Sequence, residues 1–138
     1  MPATQRKRES PTYVKPGIER EMQLRVGRPI RADLEHVHRL ISRQLEHPPS
    51  LGVFIAVAAS VGADDTAAEL KLGPALKLKD DLAQELAARM HRPLKQELLQ
   101  HYQAAYRGLP PASFGEYVVY VAARGAKLLR DFYVIKGR

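Results

Sequence analysis

Residues 51–61 read LGVFIAVAASV, and this stretch decides the fold because apolar side chains occupy every side of it. A segment without a polar face is buried whether it forms a helix or a strand. The strand alternative rests on four β-branched residues, Val53, Ile55, Val57 and Val61. The alanines and the length of the stretch favour a helix, with Ser50 as its N-cap and Gly62 at its end. We therefore expect a central core helix.

An amphipathic helix is predicted ahead of this stretch, over residues 33–46. Asp33 is a suitable N-cap, and Glu35 lies in the first turn, where the helix dipole favours a negative charge. One apolar stripe is formed by Leu34, Val37, Leu40, Ile41 and Leu45. The helix ends at His47-Pro48-Pro49, and Arg28-Pro29 is expected to break any regular element before it.

Two further helices are predicted beyond Gly62. Asp64-Asp65-Thr66 is expected to start the next segment. In residues 69–79, apolar and other side chains alternate around a Gly-Pro turn, which fits a short β-hairpin or two short helical turns. Asp80 or Asp81 then caps a helix. Its apolar face consists of Leu82, Leu86 and Met90. Pro93 suits the first turn of the next helix. That helix has the apolar stripe Leu94, Leu98, Tyr102 and Tyr106, and Gly108 ends it.

The last helix has the clearest start signal, since Ser113 and Glu116 form a Ser-x-x-Glu capping box. Its buried face is predicted to contain Phe114, Tyr117, Val118, Val121, Leu128 and Phe132. The fold class is therefore mainly α: a small helical bundle formed as a single domain by residues 17–138. Residues 1–16 are polar and proline-rich, so we expect a flexible basic N-terminal arm there.

The composition excludes several classes of protein. The chain has no cysteine, so it has no disulfide scaffold, cysteine-ligated zinc site or cysteine nucleophile. The basic start at Arg6, Lys7 and Arg8 is followed by no apolar segment typical of a signal peptide. The uncharged apolar run, residues 51–63, is shorter than the roughly 20 residues of a membrane span. We expect a soluble, cytoplasmic protein without membrane contact.

No motif for catalysis or metal binding is found. Gly-x-Ser-x-Gly and the phosphate-binding Gly-x-x-x-x-Gly-Lys are both missing. His36 and His38 would point about 200° apart on a helix and cannot share an ion. The pairs Asp64-Asp65 and Asp80-Asp81 have the oxygen ligands for a hard cation, but each sits where a helix is expected to start. We therefore expect no enzyme activity, no metal and no cofactor.

The net charge of +7 is concentrated at the two ends of the chain. Residues 1–31 carry +5 and residues 124–138 carry +4, while residues 32–123 carry −2. Such a distribution favours binding to a polyanion through release of its counterions. The expected nucleic-acid contacts are Arg6, Lys7, Arg8, Arg25, Arg28, Arg31, Arg124, Lys127 and Arg130, with Tyr120 stacking on an unpaired base. The alternative is that these cations only solvate the surface and that the tyrosines belong to the core.

In size, helical pattern and end-loaded basicity, residues 33–138 resemble the small helical subunits of multi-subunit CRISPR effector complexes. The resemblance implies a non-catalytic subunit of a ribonucleoprotein in antiviral defence. It would pack beside other protein subunits and contact RNA or single-stranded DNA nonspecifically. The family has no diagnostic short motif, so the resemblance assigns no residue.

Two other functions fit parts of the chain. In a ribbon-helix-helix DNA-binding regulator, residues 22–26 would form a strand that places Gln23 and Arg25 in a major groove, with helices at 33–46 and 50–61. The apolar character of the second helix on every side and the long remaining chain oppose this interpretation. In a protein-binding adaptor, the apolar segment 51–63 would dock a partner.

Overall fold

The computed structural model describes residues 26–106 and 113–136, and these ranges contain five α-helices and no strand. The helices are α1 (Arg28–Ser42), α2 (Leu51–Glu69), α3 (Leu82–Met90), α4 (Leu94–Ala105) and α5 (Phe114–Lys136). The prediction of a mainly helical bundle is confirmed. The expected arm over residues 1–16 lies outside the described ranges, as do Gln23 and Arg25 of the alternative strand.

The apolar stretch forms the core helix α2. Phe54, Val57 and Val61 are fully buried, and Ser50 caps the helix by accepting a hydrogen bond from the Val53 amide at 3.3 Å. The helix alternative for this stretch is therefore confirmed. Apart from the partly buried Leu51 and Val53, the segment is buried, so it does not present the exposed docking surface that the adaptor hypothesis assigned to it.

The prediction that Gly62 ends this helix is wrong, because α2 continues to Glu69. Gly62 faces α5, and a Cβ atom there would lie 1.8 Å from the carbonyl oxygen of Val121. Reciprocally, a Cβ on Gly125 of α5 would lie 1.7 Å from the carbonyl oxygen of Ala58. The two glycines therefore allow two helix backbones to touch. Asp64 and Asp65 consequently lie within a helix and not at the start of one.

α1 begins five residues earlier than predicted. Gly27 is its N-cap and Pro29 lies in its first turn, where proline needs no amide hydrogen bond and its fixed φ suits a helix. Asp33 is thus an interior residue and not the N-cap, and Arg28-Pro29 lies in the first turn of the helix instead of ahead of it. The buried residues Leu34, Val37 and Ile41 belong to the predicted stripe.

Residues 70–81 form turns and extended coil, so neither the β-hairpin near 69–79 nor a pair of helical turns is present. The way α2 ends accounts for the absence of a hairpin. The Leu72 amide donates to the Ala67 carbonyl at 2.7 Å, and the Lys71 amide donates to the Ala68 carbonyl at 3.1 Å. This Schellman-type pattern places Lys71 in the left-handed region, with φ of 60°. The reversal directs the chain along α2 and leaves no partner strand.

The N-caps of α3 and α5 are the residues predicted from the sequence. Asp81 caps α3 by accepting from the Gln84 amide at 3.2 Å. The capping box of α5 is reciprocal: the Ser113 amide donates to Glu116, and the Glu116 amide to Ser113, each at 3.1 Å. Tyr117, Val118 and Val121 are buried as predicted, and so is Leu129, which was not assigned to the core. Tyr106 is 46% exposed and therefore does not continue the buried stripe of α4.

Within the described residues, α2 is the one helix that is long and apolar enough to cross a membrane. However, 72% of its most apolar window is buried inside the protein. This is the position of a core helix, with α5 as its main packing partner.

Candidate nucleic-acid interface

The outer side of α1 presents a group of arginines, here called the arginine face: Arg28, Arg31, Arg39 and Arg43. At 100° per residue, Arg28, Arg39 and Arg43 lie within about 60° of one another and about 180° from the buried stripe. All four residues are exposed. The packing of α1 against α5 and α2 therefore directs these arginines to solvent.

One acidic residue interrupts the arginine face. The Nε of Arg31 donates to Glu35 at 3.1 Å in an exposed i, i+4 ion pair. Surface pairs of this kind contribute about 0.5 kcal/mol or less and exchange readily with other partners. With four arginines and Glu35, the face retains a charge of +3. Arg28 and Arg31, both predicted contacts, belong to it, whereas Arg39 and Arg43 were missed.

Of the predicted contacts Arg124, Lys127 and Arg130, Arg124 is directed toward α2. Its Nε lies 2.7 Å from Asp65 and its Nη2 lies 2.6 Å from Glu69, both on α2. Burial alone would lower the pKa of Arg124, but hydrogen bonds to Glu69, Asp65 and Tyr120 raise it above the ordinary value. Arg124 therefore connects α5 to α2, and two carboxylates compensate its charge.

The other predicted contacts on α5 differ from one another. Lys127 is exposed and forms no ion pair with any residue in the described ranges. Arg130 contacts the neighbouring Asp131 at 3.2 Å. Tyr120 is 46% exposed, so its ring is accessible, and its hydroxyl accepts a hydrogen bond from Arg124 at 3.0 Å. Lys127 and the Tyr120 ring therefore remain available to a ligand.

Much of the positive charge lies outside the described ranges. Those ranges contain fourteen lysines and arginines and twelve acidic residues, so the rest of the chain carries +5 of the total +7. The predicted contacts Arg6, Lys7, Arg8 and Arg25 are among these residues. Residues 1–25 hold six cations and three anions and lead directly into α1. The arginine face therefore continues a basic part of the sequence.

A second polar feature, the Arg89 cluster, consists of Arg89, Glu85, Ser60, Asp64 and His101. Arg89 is only 4% exposed. Its Nε donates to Glu85, and its Nη1 donates to Ser60 at 2.7 Å and to Asp64 at 2.9 Å. His101 Nε2 lies 3.2 Å from the other oxygen of Asp64. The cluster therefore joins α2, α3 and α4 through charged groups.

The carboxyl of Asp64 is held ionised within this cluster. Burial alone would raise the pKa of Asp64, but hydrogen bonds from His101 and Arg89, together with the charge of Arg89, lower it below the ordinary value of 3.8. Sequence reasoning missed the cluster because Asp64 resembled a helix start. The available signal was Glu85 and Arg89, which are spaced i, i+4 and lie on the buried side of α3.

The histidines and acidic residues in the described part of the chain include no group of three that could hold a metal ion. His38 has a structural role instead, because its Nε2 lies 2.8 Å from the Pro49 carbonyl oxygen and its ring packs on Phe54. Comparisons with protein-family models, curated proteins and solved structures found no match. Functional inference therefore depends on the geometry and charge of this chain.

Proposed function

We propose that this protein binds the sugar–phosphate backbone of RNA or single-stranded DNA as a small, non-catalytic, cytoplasmic subunit of a ribonucleoprotein assembly. The arginine face of α1 is the observation that carries the proposal. Arginine suits this role because its guanidinium stays charged and presents several donors to phosphate oxygens. The face is exposed while the opposite side of α1 packs in the bundle.

The length of the arginine face fits a polymer better than a small anion. Arg28 and Arg43 are separated by fifteen residues, which corresponds to about 22 Å along a helix axis. A nucleic-acid strand presents several phosphates over that length. The contacts would be to the backbone and not to bases, so they would favour nucleic acid irrespective of sequence.

The experiment compares two triple variants of equal charge change by fluorescence anisotropy with labelled RNA and single-stranded DNA over a salt series. The interface variant replaces Arg28, Arg39 and Arg43 with Gln. The control replaces Lys71, Lys79 and Lys95, which lie on the α2–α3 connection and α4, with Gln. We expect the interface variant to bind more weakly and to have a log–log salt slope shallower by about two.

The outcome separates a specific face from the overall charge. Equal weakening in both triple variants would mean that net charge alone attracts the polymer. Undiminished binding by the interface variant would overturn the proposal. Circular dichroism of both variants provides the folding control, because all six positions are exposed.

The same measurement distinguishes the ribbon-helix-helix alternative. A regulator of that class would prefer a particular duplex sequence over single strands, and Arg25→Ala would remove that preference. The proposed backbone binder would show little dependence on base sequence. Co-purification with protein subunits and RNA would test the assembly that the resemblance implies.

A further inference from the structure

A cavity of about 300 Å³ lies beside the Arg89 cluster, between α2, α3, α4 and the coil at residues 73–77. Its polar lining consists of Asp64, Lys77, Arg89 and His101. Ala67 and Leu76 contribute apolar wall. A volume of this size is at the lower end of the range for small-molecule sites.

The buried guanidinium of Arg89 is only partly used by the protein. Its Nε and Nη1 make three hydrogen bonds within the cluster. Among the described residues, Nη2 donates to none. Arg89 lines the cavity and is 4% exposed, so we infer that Nη2 is the donor available to a group bound there. A buried donor gains most when its partner carries a negative charge.

Among the charged groups at the cavity, Lys77 is the one that is placed to attract an anion. Asp64 accepts a hydrogen bond from Arg89 and lies beside His101, so its carboxylate is already engaged by the cluster. Lys77 lies on the coil that covers the cavity and is exposed. Its ammonium has no ion-pair partner in the described part of the chain. Arg89 is paired with both Asp64 and Glu85, so the lining cation that an anion can pair with is Lys77.

We propose that this cavity binds a small organic anion whose carboxylate or phosphate group is held by Arg89 Nη2 and Lys77. The short apolar part of such a molecule would lie against Ala67 and Leu76. This site is separate from the arginine face and does not depend on the proposed nucleic-acid binding. It gives the buried Arg89 cluster a binding role in addition to its role in joining α2, α3 and α4.

The test is an NMR titration of the full ¹⁵N-labelled chain with propionate and, separately, inorganic phosphate, against chloride at the same ionic strength. We expect saturable shifts confined to residues 73–77, Arg89 and His101, with a Kd on the order of 1 mM for the better probe. The two titrations show whether the acid group is a carboxylate or a phosphate.

Lys77→Gln is the decisive variant because it removes one proposed ligand contact from an exposed coil and leaves the Arg89 cluster intact. It should weaken binding by about tenfold or more, a loss on the order of one charge-assisted hydrogen bond. Lys71→Gln, in the same connection but outside the cavity, is the matched control and should leave the Kd unchanged. The triple variant of the arginine face should also bind the probe normally.

Three results would overturn the proposal: shifts that do not saturate, shifts spread over the arginine face, or an equal response of Lys77→Gln and Lys71→Gln. Loss of polymer binding in the α1 variant has no bearing on these outcomes, so failure at either site can be recognised separately.

Discussion

Arg39 on α1 and Arg124 on α5 look alike in the sequence, since both follow an apolar stripe at helical spacing, yet their surroundings differ. Arg39 projects to solvent from the outer side of α1. Arg124 reaches across to Asp65 and Glu69 and is held to α2. An arginine therefore stays exposed or holds two helices together depending on whether an acidic residue faces it from a neighbouring helix. Arg89 is the extreme case, because it is buried together with its partners Glu85 and Ser60.

The largest difference is expected between Arg89 and Arg39. Arg89→Ala leaves Glu85 and Asp64 without their buried cation, which should destabilise the fold by about 3–5 kcal/mol. Arg39→Ala should change the free energy of unfolding by less than about 0.5 kcal/mol. Urea denaturation measures the change in the free energy of unfolding for both variants. Similar small values for the two variants would show that the Arg89 cluster is dispensable for folding.

The close approach of α2 and α5, which positions Arg124, is tested by Gly125→Ala. The added Cβ would meet the Ala58 carbonyl oxygen at 1.7 Å, so the helices must separate, at an expected loss of about 3 kcal/mol. Gly73→Ala is the matched control, because its Cβ would find only the Ala67 side chain at 3.7 Å. In thermal unfolding, Gly125→Ala should have a clearly lower Tm than Gly73→Ala. Equal Tm values would contradict the close approach of α2 and α5.

A double-mutant cycle between Arg124 and Asp65 measures how strongly this ion pair holds α5 to α2. The pair is about one-quarter exposed on each side, so its coupling should be about 1 kcal/mol and decline with salt. Arg124→Gln should weaken nucleic-acid binding much less than Arg39→Gln, although both remove one positive charge. If Arg124→Gln weakened binding more than Arg39→Gln, Arg124 would belong to the binding surface.

The smallest effect concerns acid stability. Because the folded-state pKa of Asp64 lies below the ordinary 3.8, its ionised form stabilises the fold above that pH. The stabilisation is lost as pH falls through the folded-state pKa. The difference in unfolding free energy between wild type and Asp64→Asn should therefore shrink as pH falls below about 4. Asp33→Asn, on the exposed side of α1, is the control. A difference that does not depend on pH would contradict the ion pairs of Asp64.

The sequence by itself determined that the chain is helical, that residues 51–61 are core, and that Ser50, Asp81 and the Ser113–Glu116 box start helices. These features depend on local periodicity and on hydrogen bonds between residues three apart, which a single segment contains. The arginine face also follows from the helical spacing once α1 is extended back to Arg28.

Only the tertiary structure decided the roles of Gly62, Asp64 and Arg124. Gly62 carries the local signal of a helix end, but its use is to admit the backbone of α5, which lies about sixty residues away in the chain. Asp64 and Asp65 carry the signal of a helix start, but their partners are on α3, α4 and α5. Contacts between distant segments determine both outcomes, because close backbone packing and ion pairing depend on which residues the fold brings together.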